Sequence, residues 1–241
     1  MITYSIFTNK GGRPDNEDYV AAKQIDGRYA FILADGLGGH GYGEVASKLV
    51  VDEGIRLLNE IEDIEHYLKY SFEIAQEKLL KYQKANRAVR EMKTTKVNLC
   101  INKSDVMWGH IGDSRLYYFK GKRLIKRTLD HSYVQSLCRS KEIKETDIRN
   151  HPDRNVLLRV MGEDWNEPKY ELSKKYRLKK NMSFLLCSDG FWELIDEKQM
   201  KMCLAKAQNV DEWIALMKNI IDENGKGKEM DNYSAIAVWV R

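Results

Sequence analysis

Hydrophobic positions along this chain follow two periods. Short, near-continuous apolar runs at 2–7, 29–34, 94–101, 106–111, 184–187 and 235–240 read as strands buried on both faces. Ile64, Leu68, Phe72, Ala75, Leu79 and Tyr82 instead recur at three- and four-residue steps, one apolar stripe along a long helix. Trp213, Leu216, Met217, Ile220 and Ile221 trace a second stripe. Residues 132–139 read as helical, Glu44 to Leu49 as a helix start, and Asp196 with Gln199 as a capping box. Asp26-Gly27 and Gly121-Lys122 separate pairs of extended runs and predict two hairpins. Residues 140–155 are polar without a sustained period and read as a mobile surface insert. The basic stretch 173–181 reads as a solvated edge and loop, with docking of an acidic partner as the lesser alternative. Hairpins dominate, so the order of elements predicts an α+β fold: two mainly antiparallel sheets covered by helices. No repeat, linker or low-complexity tract divides the chain, and a single domain over 1–241 is expected.

Composition narrows this only a little. A chain of 241 residues with 43% hydrophobic content can bury a full core. Forty Lys and Arg against 36 Asp and Glu leave +4, too little to argue for nucleic acid. Cys100, Cys138, Cys187 and Cys203 lack paired metal-type spacing and suit core thiols in a reducing compartment. There is no signal-peptide pattern and no apolar run near the ~20 residues of a membrane helix. A soluble cytoplasmic protein is expected.

The acids change the picture. The run from Tyr29 to Ala34 stops at Asp35, and five glycines fall within the next eight residues. If Asp26-Gly27 is a two-residue turn, Ile25 pairs with Arg28 and, counting back, Asp18 stands opposite Asp35. Directly opposed residues have Cβ atoms roughly 4.5–5.5 Å apart, and like charges there repel unless a cation sits between them. Asp113 and Asp189 also stand where apolar strands stop, and Asp231 just before the last strand begins. In antiparallel sheets one strand's start and its neighbour's end share an edge, so these acids, with Glu17 beside Asp18, can converge on one rim. Oxygen ligands without His or Cys companions favour Mg²⁺ or Mn²⁺ over Zn²⁺. Arg13 precedes the rim, and its guanidinium fork matches phosphate oxygens; a salt bridge holding the acids together is its alternative role.

Together these residues resemble the PPM family, the metal-dependent type 2C protein phosphatases, in its compact bacterial form. The matching segments are R-P-D-N-E-D at 13–18, A-D-G-L-G-G-H-x-x-G-E-x-A-S at 34–47, G-D-S-R at 112–115, L-D-H-S at 129–132, H-P-D-R-N-V-L at 151–157, S-D-G at 188–190 and D-N at 231–232. The resemblance implies a four-layer αββα sandwich and hydrolysis of phosphoserine and phosphothreonine by a bridging hydroxide of a dinuclear metal centre. It implies that Asp35 bridges two Mn²⁺ or Mg²⁺ ions, with the Gly36 carbonyl, Asp189 and Asp231 completing their shells. Glu17 and Asp18 match outer positions that hold metal-bound waters. Asp113 matches the residue that joins Asp189 at a third, weaker metal site, and Arg13 the phosphate-binding arginine. Catalysis would then rest on Arg13, Asp35 and Asp189. Residues 136–156 correspond to the family's flap. The implied partners are phosphorylated proteins and an opposing Ser/Thr kinase, for a monomer that binds neither nucleic acid nor membrane.

Two departures stand out. Leu37 occupies a position where many eukaryotic relatives carry a His proposed as the general acid, and Leu cannot give a proton. His40 is a candidate substitute, or else a loop His bonded to backbone. Lys93-Thr94-Thr95 stands where the family often has Gly-Thr-Thr, with only a local backbone adjustment expected. His110 reads as a core residue, and His131 and His151 as structural. A non-catalytic phosphoprotein-binding or metal-sensing relative is the rival reading, although no mapped ligand is lost. An aspartyl-phosphate enzyme of the haloacid dehalogenase type would need Asp-x-Asp, which neither Asp35-Gly36-Leu37 nor Asp189-Gly190-Phe191 supplies.

Overall fold

The structure, a computed structural model, describes residues 1–37, 42–86, 89 and 91–241. Two antiparallel sheets pack face to face. The first runs β1 (Ile2–Asn9), β12 (Tyr233–Val240), β11 (Met182–Cys187), β7 (Arg115–Lys120), β8 (Arg123–Arg127) in spatial order. The second runs β10 (Tyr176–Arg177), β6 (Asp105–Ile111), β5 (Lys96–Asn102), β3 (Arg28–Leu37), β2 (Asp18–Ile25), with β4 (Lys93–Thr94) on β3 and β9 (Glu171–Leu172) on β6. Helices α1 (Gly43–Leu57) and α2 (Ile64–Ala85) cover the second sheet; α5 (Glu197–Lys206) and α6 (Val210–Gly225) cover the first. Two short helices, α3 (Tyr133–Arg139) and α4 (Asp189–Trp192), come between α2 and α5 in the chain and add Val134, Phe191 and Trp192 to the core beneath α5 and α6. This is the αββα sandwich expected from the sequence.

Alternation along the strands builds three apolar layers. On β3, Phe31 and Leu33 face the other sheet, whereas Ala30, Ile32 and Ala34 face α1 and α2. On β12, Ile236 and Val238 lie between the sheets, while Ala235, Ala237 and Trp239 meet α6. Strands buried on both faces need apolar residues at every position, which explains the unbroken runs in the sequence. Lys96 breaks this rule. It is fully buried on the helix side of β5, donating to the carbonyls of Val50 (3.0 Å) and Ser71 (2.5 Å). Burial pushes its amine down to about 7.

The turns and caps follow local chemistry. Asp26 (φ 49°) and Gly27 (φ 76°) form a turn with both central residues left-handed, whose twist matches the strands it joins. The resulting register pairs Ile25 with Arg28 and Asp18 with Asp35. Asp196 and Gln199 form the capping box at the start of α5. The run read as one strand over 94–101 is interrupted at Thr95, whose amide leaves the ladder to donate to the Asp35 carbonyl at 2.9 Å.

The polar segment 140–155 is more firmly tied than its lack of period suggests. Ile148 is buried against the first sheet's helix layer. Arg149 caps the carbonyls of Trp192 (3.1 Å) and Ile195 (3.3 Å) and pairs with Glu197, and Arg154 pairs with Glu193 at 2.9 Å. Long arginine side chains reach the free carbonyls after a short helix, a contact that leaves no periodic trace in sequence. Within the basic stretch 173–181, Tyr176 is an edge-strand residue whose ring stacks on Trp108 at 5.0 Å. No helix among the described residues is long and apolar enough to cross a membrane.

Candidate active site

Both sheets deliver carboxylates to the same rim. Asp35 lies near the end of β3, and Asp18 opposite it opens β2. Asp113 occupies the bend where the chain passes from β6 in one sheet to β7 in the other. Asp189 is the first residue of α4, directly after β11, and Asp231 lies two residues before β12. Asp35, Gly36, Asp113, Asp189, Asp231, Glu17 and Arg13 all line one cavity of about 440 Å³, together with Leu37, Asn155 and Leu157. Asp18 lies behind this lining, buried. His40 falls among residues 38–41, outside those described.

Backbone and hydroxyl groups hold the acids in place. The Asp35 amide donates to Thr95 Oγ1 (3.0 Å), and its carbonyl accepts from Thr94 Oγ1 (2.7 Å) and the Thr95 amide. Thr95 Oγ1 meets Ser114 Oγ at 2.7 Å, which links the Asp35 and Asp113 corners. Gly36 packs so closely on Gly43 that a Cβ there would come within 2.3 Å of the Gly43 carbonyl oxygen. Ser188 Oγ donates to Asp18 Oδ2 (2.8 Å). Asn232 joins three segments: its Oδ1 accepts from the Glu17 amide, and its Nδ2 donates to the carbonyls of Lys10 and Asp15. The indole of Trp192 donates to the Asp113 carbonyl (3.0 Å). Arg13 forks onto Asp231 through Nε (3.0 Å) and Nη2 (2.9 Å). It therefore makes the salt bridge of its alternative role while lining the same cavity.

The electrostatics are those of crowded like charges. Asp35 is held well above the usual carboxylate range by burial and by the charges of Asp18, Asp189, Asp113 and Asp231. Asp113 is raised in the same way, by burial and then by Asp189. Burial outweighs two serine hydrogen bonds to push Asp18 up to about 7, and burial with the Asp231 charge pushes Asp189 up to about 6. Asp18 Oδ1 is buried with no hydrogen-bond partner among the described residues. Oxygen donors that repel one another, with one orphaned lone pair behind them, fit hard divalent cations. Groups with raised folded-state pKa values stabilise the fold at low pH and lose that contribution as pH rises through those values. Chelated protein should therefore melt at a higher temperature at pH 5 than at pH 7.5, and Mn²⁺ should abolish the difference; a flat melting profile in chelator would contradict it.

A second cluster lies behind the Asp113 corner, outside the cavity lining. His110, His131 and Glu171 offer ligand-type atoms within 4.8 Å of one another. The sequence placed His110 in the core and His131 as structural, and both are buried. The supporting roles of Thr95, Ser114 and Trp192 were not foreseen; the only signal was the Lys-Thr-Thr departure. Lys93 has no left-handed backbone and needs no glycine there, and its amine pairs with Glu163 at 2.8 Å.

Comparison with known proteins agrees with this geometry. The family description "Protein phosphatase 2C" matches residues 10–232. A serine/threonine phosphatase stp from Listeria welshimeri is 32% identical over 238 residues, 94% of this chain and 90% of that protein. Protein phosphatase PhpP of Streptococcus pneumoniae is 31% identical over 211 residues, 82% of each chain. The crystal structure of serine/threonine phosphatase Stp1 from Staphylococcus aureus superimposes with a TM-score of 0.89 at 30% identity, covering 100% of this chain and 96% of that one. With the family's match spanning nearly the whole chain and its acids gathered on one rim, this protein belongs to the protein phosphatase 2C family.

Proposed function

We propose that the protein is a metal-dependent serine/threonine protein phosphatase, hydrolysing phosphoserine and phosphothreonine in other proteins. The observation that carries this reading is the meeting of Asp35, Asp113, Asp189 and Asp231 with Arg13 at one cavity. Asp35, the Gly36 carbonyl, Asp189 and Asp231 would hold two Mn²⁺ or Mg²⁺ ions, and Asp113 with Asp189 a third, weaker one. Such ions, when bound, supply water acidified for attack near neutral pH and offset charge on the phosphoryl oxygens. The chain's own part is placement. Glu17, half-buried at the cavity, and Asp18 behind it orient waters from the second sheet's side. Arg13 holds its guanidinium fork on Asp231, and once a metal ion takes over that carboxylate the same two N–H groups are of the kind that bind a phosphate bidentately. Leu37 lines the cavity and carries no proton, so the leaving alkoxide must be protonated by solvent or another group. The reading includes a cytoplasmic monomer and an opposing Ser/Thr kinase.

The test is turnover of p-nitrophenyl phosphate and a phosphothreonine peptide. Activity should require Mn²⁺ or Mg²⁺, vanish in chelator and return on re-addition. Turnover that persists in chelator would refute the proposal, and tight phosphopeptide binding without turnover would leave a non-catalytic relative.

A further inference from the structure

We propose that His131 is a positioning residue for the Asp113 corner, its imidazole Nδ1 accepting the Gly112 amide and so fixing the carboxylate that follows. The inference rests on the reading of Asp113 as a metal-site acid. The His131 amide donates to the Gly112 carbonyl at 2.9 Å, and the Gly112 amide donates back to His131 Nδ1 at 3.2 Å. One residue thus holds both the amide and the carbonyl of Gly112. Gly112 has φ +94°, and a Cβ on it would come within 2.6 Å of Thr95 Cγ2. The clamped glycine therefore lies directly against Thr95, which bonds the Asp35 amide and carbonyl. On its other side, the His131 carbonyl accepts the Leu158 amide at 2.8 Å, beside Asn155 and Leu157 in the cavity wall. His131 joins two walls of the site without lining the cavity itself.

The tautomer follows from these partners. An N–H donor facing Nδ1 requires that nitrogen to be bare, so the neutral ring carries its proton on Nε2. Nε2 lies 3.2 Å from Glu171 Oε1 without forming a hydrogen bond among the described residues. Burial and the neighbouring His110 ring, stacked at 4.6 Å and 16°, push His131 down to about 4 and keep it neutral. His110 Nε2, 2.9 Å from the Leu129 carbonyl, must likewise be protonated, since a carbonyl only accepts.

A metal held by His110, His131 and Glu171 is the competing account. Ligation through His131 Nε2 would move the ring proton to Nδ1, opposing the Gly112 amide donor to donor. Arg139 and Arg159, each 3.8 Å from Glu171 Oε1, add positive charge where the ion would sit. The geometry favours the clamp.

Nitrogen NMR of the labelled wild-type protein at pH 7 should show an unprotonated Nδ1 and a protonated Nε2 on His131, with the Gly112 amide exchanging slowly. His131→Ala should speed Gly112 exchange and weaken binding of the weakest Mn²⁺, read by calorimetry, by roughly tenfold, as loss of an outer-shell partner does. It should lower kcat at fixed Mn²⁺ while leaving KM for p-nitrophenyl phosphate within about twofold. His131→Asn, whose amide oxygen can take the place of Nδ1, should restore most of both. An Nδ1-protonated His131, or Zn²⁺ shifting both rings and releasing the Gly112 amide, overturns the clamp. So does a folded His131→Ala with unchanged Gly112 exchange. Wild-type protein that binds no Mn²⁺ would instead sink the metal-centre reading, while tautomer and amide exchange still decide the clamp.

Discussion

Asp35→Asn should cost about 10³-fold in Mn²⁺-dependent turnover, yet the metal-free protein should become more stable. The loss is about 4 kcal/mol of transition-state stabilisation, the scale expected when the group that organises a site's charge is removed. The gain has the opposite cause. Without metal, Asp35 faces Asp18 across the hairpin and feels Asp189, Asp113 and Asp231 as well, all of one sign. Asparagine keeps the shape, and the main-chain bonds to Thr94 and Thr95 do not involve the carboxylate. In chelator the melting temperature should rise, each ~1 kcal/mol being worth ~2–4 °C for a chain of this size. Kinetics at saturating Mn²⁺ and melts with and without chelator are the measurements. Asp189→Asn should behave alike. A variant that loses activity by unfolding would mean that the acids are held together by something other than a shared cation.

The second large effect lies beneath the site. Arg115 and Asp130 form a fully buried pair, with Nε and Nη2 of the arginine 2.8 and 2.5 Å from the two carboxylate oxygens. The guanidinium sits over Trp192, its Cζ 3.3 Å from the ring centroid, and that indole holds the Asp113 carbonyl. Asp130→Ala strands Arg115 and removes a partner of Arg127 as well. Breaking such a pair from one side costs ~3–5 kcal/mol, so the melting temperature should fall by roughly 10 °C. Replacing both members, as in Arg115→Met with Asp130→Leu, should recover much of that loss, because no charge is left unpaired. A double-mutant cycle separates the pair from its surroundings. If Asp130→Ala melts within ~1 kcal/mol of the parent, the buried pair is not what supports the Asp113 corner.

The register that brings Asp18 opposite Asp35 was legible because it is set locally. A two-residue Asp-Gly turn fixes the pairing of every residue behind it, and only counting is required. The acids of the rim were legible for a related reason: each ends or opens a strand, and strand ends of antiparallel sheets share edges. The break at Thr95 was not, since it depends on the Asp35 carbonyl some sixty residues away in sequence. Segment 140–155 gave no period because its anchors are single arginines and one buried Ile148, contacts that follow no repeat.

By itself, then, the sequence determined the αββα layering, the hairpins and which carboxylates stand at the edges of strands. Those features arise from side-chain alternation and turn preference, which act between near neighbours. Only the tertiary structure decided that Arg13 forks onto Asp231, that Lys96 is sealed beneath two helices, and that His131 bonds the Gly112 amide while Trp192 holds the Asp113 carbonyl. Each of these joins groups far apart along the chain, and a buried polar group takes whichever partner the finished packing places within reach.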